Sequence, residues 1–270
     1  MESRVWIPPY DFAVDPTVHK WALIILGAMA ASVVVLVVMQ AVRTKDMLPI
    51  YLFIGAVVTM SVEPFVDVQG LCWYPEVNSI PGYTSIGRTI PLYLVFVFMF
   101  YFPPAILFIL NRCQKGMTAG WLVKFYLAVV LAAFLFEPLP LHYKLWTYYG
   151  NQAFVINING WLNAGFPLFF GFANGGCVVL TGVALFKVLP YLPGWKKIAV
   201  IPLMPVFVVG FWTCCAFYVS TPLNTFLGVW ATRLGTVAMA LTSLLVVWLA
   251  GQLVSEKPYR VNPRLDSVTP

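Results

Sequence analysis

The sequence predicts an all-α, polytopic membrane protein with seven transmembrane helices, and three observations predict it. Of the 270 residues, 61% are apolar and only 10% charged, with a mean hydropathy of +0.85, whereas charged residues supply about a quarter of a soluble chain. Several apolar runs approach or exceed the roughly 20 residues an α-helix needs to cross the hydrocarbon core. None of them shows the alternating pattern, in segments of about ten residues, of a membrane β-barrel.

Residues 1–20 read as a short polar tail in which Trp6 and Tyr10 suit the membrane interface. Helix 1 is expected at about 21–42, too long for a signal-peptide core and without a small-residue cleavage site. The turn Arg43-Thr44-Lys45-Asp46 leads into helix 2 at about 48–66. Residues 67–89 carry Gly70, Pro75, Pro81, Gly82 and Gly87 among aromatics, too broken for a helix and too apolar for a free loop, which predicts a lid. Helix 3 (about 90–111) contains Pro103-Pro104, where a kink is expected because neither proline can donate a backbone hydrogen bond. Helix 4 (about 120–140), a second lid (141–160) and helix 5 (about 162–187) follow, then helix 6 (about 199–220) and helix 7 (about 226–254). The membrane domain is thus 21–254, and the tail 255–270 reads as disordered. The same rhythm also groups the chain as helix 1 plus three hairpins, 2–3, 4–5 and 6–7, the third without a lid or an acid.

The net charge of +6 is scattered singly or in pairs, without the basic cluster that nucleic acid requires. It reads instead as a topology signal. The turns after helices 1, 3 and 5 and the C-terminal tail hold Arg43, Lys45, Arg112, Lys115, Lys187, Lys196, Lys197, Lys257, Arg260 and Arg264. The opposite side holds only Arg4, Lys20, Arg88 and Lys144. The positive-inside bias puts the C-terminus in the cytoplasm, and the N-terminus and both lids outside it. Cys72, Cys113, Cys177, Cys214 and Cys215 form neither a disulfide framework nor a metal-ligand spacing, so no metal or other cofactor is expected.

One stretch organises the rest: Glu63-Pro-Phe-Val-Asp67-Val-Gln-Gly-Leu-Cys-Trp73-Tyr74, which runs carboxylates off the end of an apolar segment. It has an echo 74 positions later in Glu137-Pro-Leu-Pro-Leu-His142-Tyr-Lys-Leu-Trp146-Thr-Tyr148-Tyr149. An ionised carboxylate at a helix centre in the bilayer costs about 2.5–3.5 kcal/mol, so intramembrane acids mark function. Glu63 and Glu137 lie about one turn inside their helix ends, where an acid also reaches water or headgroups. Asp67 follows Glu63 by one helical turn, so a persisting helix stacks them as a coupled pair sharing a proton; alternatively Asp67 caps the segment, because a helix is not expected to continue through Gly70. His142 reads either as a proton relay or as a structural interfacial histidine. Arg233, inside helix 7, calls for a carboxylate partner among Glu63, Asp67 and Glu137 or for an anionic ligand group. Asn163, Asn174 and Asn224 are candidates for tying helices together. Trp73, Tyr74, Trp146, Tyr149, Trp161, Trp212 and Tyr218 read as interface-belt residues or as aromatic faces that stabilise a cation in a dry pocket.

An acid inside a small seven-helix protein surrounded by aromatics resembles the integral-membrane terpene cyclases of meroterpenoid and indole-diterpene pathways. The resemblance rests on helix number, chain length and a glutamate late in helix 2, here Glu63. It implies an apolar isoprenoid substrate whose epoxide or alkene is protonated by a carboxylic acid and cyclises as a cation without metal. That family also carries a second acid toward its C-terminal end. Helices 6 and 7 here contain no Asp or Glu, so Glu137 or Asp67 would take that place. The Glu-Pro-aromatic pattern also resembles membrane-bound carotenoid cyclases and hydratases. The resulting expectation is an isoprenoid cyclase or isomerase with Glu63 as acid, Asp67 as its tuning neighbour, Glu137 or His142 as base, and substrate entering from the bilayer. The competing expectations are a proton-coupled transporter or small-molecule binder using the same charged residues, and a structural membrane subunit.

Overall fold

The computed structural model describes residues 6–158, 162–225 and 227–255. Seven helical segments in it are long and apolar enough to cross a membrane, the outermost being Pro16–Thr44 and Gly228–Ser255. In chain order the elements are α1 (Pro16–Thr44), α2 (Leu48–Thr59), α3 (Glu63–Gly70), β1 (Cys72–Trp73), β2 (Pro81–Ser85), β3 (Arg88–Pro91) and α4 (Leu92–Gln114). There follow α5 (Ala119–Phe136), α6 (Pro138–His142), β4 (Thr147–Tyr148), β5 (Val155–Ile158), β6 (Leu162–Pro167), α7 (Leu168–Val188), α8 (Val200–Leu223) and α9 (Gly228–Ser255). The second span is α2 continued by α3, and the fourth is α5 continued by α6. Expected residues 161, 226 and 256–270 lie outside the described residues.

Helix α1 begins earlier than hydropathy suggests because Asp15 caps it. The Asp15 carboxylate accepts from the N–H groups of Thr17 (2.8 Å) and Val18 (3.2 Å), and Pro16 opens the helix where a missing N–H costs nothing. Residues 16–20 therefore belong to the first span and not to the tail. Most apolar side chains of α1 remain exposed, as befits a helix that packs on α4 and α2 and turns its outer face to lipid. Helix α7 is its opposite: 78% of its most apolar window is buried, among α4, α5, α8 and α9. Its small residues permit this approach, since a methyl at Gly171 would overlap the Phe134 ring and one at Gly182 would meet Ile109.

Both Glu-Pro sites interrupt a span without ending it. After α2 a single 3₁₀ turn, Met60–Val62, precedes α3, and Pro64 falls in the first turn of α3, where no intrahelical N–H is needed. Helix α3 then runs through Gly70, contrary to the expectation from sequence. It stops because Leu71 turns left-handed (φ 52°), its N–H bonding back to the Asp67 carbonyl. A methyl on Gly70 would overlap the Phe170 ring of α7, so the glycine serves close packing there and does not break the helix.

The two lids contain short strands as well as turns. β2 and β3 form one antiparallel hairpin, β5 and β6 another, and β1 of the first lid pairs antiparallel with β4 of the second, Cys72 opposite Tyr148 and Trp73 opposite Thr147. The two lids correspond in their spacing along the chain. Glu63 and Glu137, the first residues of β2 and β5, and the first residues of β3 and β6 are all related by the same 74-position offset. Trp73 faces Thr147, its own counterpart 74 positions on, so the antiparallel pair sits where a pseudo-two-fold axis between the repeats would pass. α8 and α9 complete the bundle, with no paired strands between them among the described residues.

Candidate functional site

The two Glu-Pro sites bring their glutamates within electrostatic reach of each other. In the first repeat, the Tyr74 hydroxyl donates to Glu63 Oε1 at 2.9 Å and also lies against the carboxyl of Asp67. Asp67 is one turn after Glu63 on α3, 1% exposed, and its Oδ2 has no hydrogen-bond partner. In the second repeat, the Trp146 indole faces the carboxyl of Glu137, whose buried Oε2 has no partner. Glu63 and Glu137 are each only partly enclosed by protein, whereas Asp67 is sealed in.

Tyr148 lies within electrostatic reach of all three carboxyls. It is the counterpart of Tyr74, and its ring packs 4.4 Å, centroid to centroid, from Phe170. Burial pushes its phenol well above the ordinary tyrosine value, and the negative charges of Glu137, Asp67 and Glu63 all push it further. One phenol thus feels all three acids. Tyr74 is raised likewise, first by burial and then by Asp67 and Glu63, and the Cys72 thiol by burial and then by Asp67, Glu63 and Glu137. These groups are neutral hydrogen-bond partners at neutral pH.

Arg88 is buried between the two lids. Only 7% exposed, it donates to the Cys72 carbonyl and to the Tyr149 hydroxyl (2.9 Å), with its guanidinium 4.9 Å from the centre of the Trp73 ring. It therefore bridges both lids, since Trp73 and Cys72 belong to the first and Tyr149 to the second. The sequence placed Arg88 only among the sparse basic residues of the lid side. Its signal was the position itself, a lone cation opening a strand in an apolar lid.

The other predicted residues divide. Trp73 is buried edge-on to Tyr10, with its indole nitrogen unpartnered. Trp146 stands edge-on to Tyr74 at 6.4 Å. Trp212, 2% exposed, reaches across from α8 to donate to Asn174 Oδ1 of α7 at 3.0 Å and packs on Phe170, so it borders the cluster. Asn224 donates to the Gln69 carbonyl at 2.9 Å, tying α8 to α3.

His142, Arg233 and Tyr218 are not brought to the acids. His142 is exposed, edge-on to Tyr143, in a surface groove of about 450 Å³ shared with Asp15, Asn78 and Lys144. The α6 turn that follows Glu137 carries it out of the pocket, so it is not within reach to serve as base there. Arg233 lies 4.6 Å over the ring of Trp230, in the second turn of α9. It is paired with no acid, because the ion pair among the described residues is Lys197–Asp46, at 2.5 Å. A cation so near a helix end extends along an aromatic ring toward the interface. Tyr218 is 41% exposed beside Phe217. Trp161 lies outside the described residues, as does the side chain of Asn163.

Among the described residues, no three His, Cys, Asp or Glu side chains converge as metal ligands would. The carboxyls lie within one another's electrostatic reach without meeting at a point. What the arrangement can do is hold, donate and accept protons in an aromatic enclosure shielded from bulk water. Compared with protein-family models, curated proteins and solved structures, the chain matches none of them.

Proposed function

We propose that the protein is an isoprenoid cyclase or isomerase that works by general acid catalysis inside the membrane. The observation that carries this reading is the clustering of Glu63, Asp67 and Glu137, all from membrane-spanning segments, around the lid phenol Tyr148, with Tyr74 and Trp146 beside them. Carboxyls are placed there at a cost, and acid chemistry on an apolar substrate uses them directly. Glu63 is the proton donor to an alkene or epoxide. Its Oε1 is fixed by Tyr74, leaving the second oxygen for the proton. The ring faces of Tyr74, Trp146 and Tyr148 stabilise the cation through their quadrupoles, and Glu137 accepts the final proton. A positioned acid of this kind contributes about 10²–10⁴-fold to rate. Substrate enters from the bilayer, and the distribution of Lys and Arg supports lids that face away from the cytoplasm.

The test is untargeted mass spectrometry of apolar extracts from isoprenoid-producing cells with and without the protein. A new isomeric or hydrated isoprenoid is the expected result; identical extracts across several isoprenoid-producing hosts count against the reading. A second reading, proton-coupled transport, is favoured by the repeat, because transporters are built from paired repeats. Its signature is pH-driven solute uptake into vesicles that is lost in Glu63→Gln.

A further inference from the structure

The first lid is fastened to the helices along its length, and one of the fastenings is an imidazole. Before β2 the chain runs against the start of α1. Val77 bridges Ala13, the Val14 N–H donates to the Val77 carbonyl at 3.3 Å, and the Asn78 side-chain amide donates to the Val14 carbonyl at 3.2 Å. Two residues on, the Ile80 N–H donates to Nε2 of His19 at 3.0 Å. Ile80 is also where the hairpin closes, since its carbonyl accepts from the Leu92 N–H at 2.9 Å. Within the hairpin, the Tyr83 hydroxyl donates to the Met60 carbonyl, the one that Pro64, four residues on, has no N–H to satisfy. The Glu63 N–H donates to that same carbonyl. The hairpin whose base His19 holds thus reaches the helix break beside Glu63.

A backbone N–H only donates, so Nε2 of His19 carries a lone pair. The proton of the neutral ring is then on Nδ1, which is buried and has no hydrogen-bond partner among the described residues. His19 is 5% exposed, its ring edge-on to Tyr93 of α4 at 5.6 Å. We propose that His19 is a proton-sensitive anchor of the first lid: the neutral imidazole holds the base of the β2–β3 hairpin, and a proton on Nε2 releases it. The imidazolium has two N–H groups and no acceptor, so it would face the Ile80 N–H donor to donor. The surrounding groups offer the new charge no partner. On α1, Asp15 lies one turn before the ring with its Oδ1 already engaged by the Thr17 and Val18 N–H groups, and Lys20 is exposed and of like sign. From α4 comes Tyr93, whose hydroxyl is donated to the Leu145 carbonyl. α2 carries Tyr51 in its first turn, near the far end of α1. The first lid has the exposed Glu76 before Val77, and the second has His142 and Lys144 across the groove lined by Asp15 and Val18. Among the described residues His19 makes no ion pair. The anchored state therefore binds one proton fewer than the released state, and acid favours release. This device is independent of whether the substrate is an isoprenoid.

The experiment needs no substrate. The chain has two histidines, and His142→Gln, an exposed substitution, leaves His19 as the sole imidazole. Full-length protein of this kind with ¹⁵N-labelled histidine, purified in detergent, is followed by NMR from about pH 8 to about pH 5, a window that brackets the ordinary imidazole value of about 6.5. The expected spectrum at the alkaline end is that of the Nδ1–H tautomer, giving way to imidazolium as pH falls. Hydrogen exchange of the segment around Ile80 is measured over the same window and expressed as protection relative to the intrinsic rate at each pH. With His19 present, protection is expected to fall by roughly tenfold, as the loss of one enclosed hydrogen bond implies. In His19→Gln, whose amide oxygen accepts at any pH, it is expected to stay level. An Nε2–H tautomer at the alkaline end overturns the proposal, and so does a ring that stays neutral throughout. Level protection in the chain that keeps His19 overturns it as well, whatever the folding of His19→Gln. An equal fall in a folded His19→Gln assigns the release to another group and likewise overturns it.

Discussion

The first and second repeats share an architecture and differ in chemistry. Each runs through an interrupted helix, a glutamate before proline, a phenol 11 positions after the glutamate, a short strand at the shared axis, a hairpin and a return helix. Only the first also holds Asp67 and Arg88 in the apolar interior. The fold thus presents two equivalent acids, and two substitutions make them unequal. A symmetrical pair of glutamates would offer the same group twice, whereas an unequal pair can supply a donor and an acceptor.

The largest expected effects test that inequality directly. Glu63→Gln is expected to lower turnover by at least about 100-fold, the low end of what a positioned acid contributes, with thermal stability in detergent unchanged. Glu137→Gln is expected to change the distribution of products as well as the rate, because the final deprotonation fixes which alkene forms. Equal rates and equal products from the two variants would make the glutamates interchangeable.

The next comparison concerns packing at equivalent positions. Gly70 and Lys144 are counterparts, but the first is wedged against Phe170 and the second is exposed. Gly70→Ala should destabilise by about 1–3 kcal/mol, the usual cost of overpacking. Lys144→Ala should stay within about 0.5 kcal/mol, as surface substitutions do. Thermal unfolding in detergent reads both. Tyr74→Phe, which removes the hydroxyl donated to Glu63, should cost about 1–3 kcal/mol if that oxygen is left unsatisfied.

The smallest effect lies at the other end of the bundle, outside both repeats' pockets. Burial tends to raise the Asp46 carboxyl, but hydrogen bonds from Lys197 and from the Leu48 N–H hold it below its ordinary value. A lowered folded value means stability that is complete above the ordinary carboxylate range, about pH 4, and is lost as pH falls through the lowered value. Because the pair is partly exposed, its worth is at most about 1 kcal/mol. Asp46→Asn should therefore lower the unfolding midpoint slightly at neutral pH, and the difference should vanish toward about pH 3.

The seven spans were legible because lipid demands long apolar helices whose backbone bonds are internal, and α4 and α8 begin within about two residues of where hydropathy puts them. The duplicated Glu-Pro-aromatic stretch was legible too, since the 74-position echo is a matter of residue identity. Less visible were the continuation of α3 through Gly70 and the pairing of Trp73 with Thr147. The first depends on Phe170 packing against the glycine, and the second joins segments far apart in the chain. Arg88 was hidden for a similar reason: a lone arginine in a lid looks like an interfacial charge until its neighbours from both lids are known. His142 and Arg233 erred in the opposite sense, because proximity in sequence to Glu137, or to the bilayer, says nothing about the direction in which a helix turn carries the side chain.

The most direct test of the account compares apolar extracts of isoprenoid-producing cells expressing wild type or Glu63→Gln at matched membrane levels. A new isomeric or hydrated isoprenoid is expected with the wild type and none with the variant. The same product at the same yield from Glu63→Gln would contradict it.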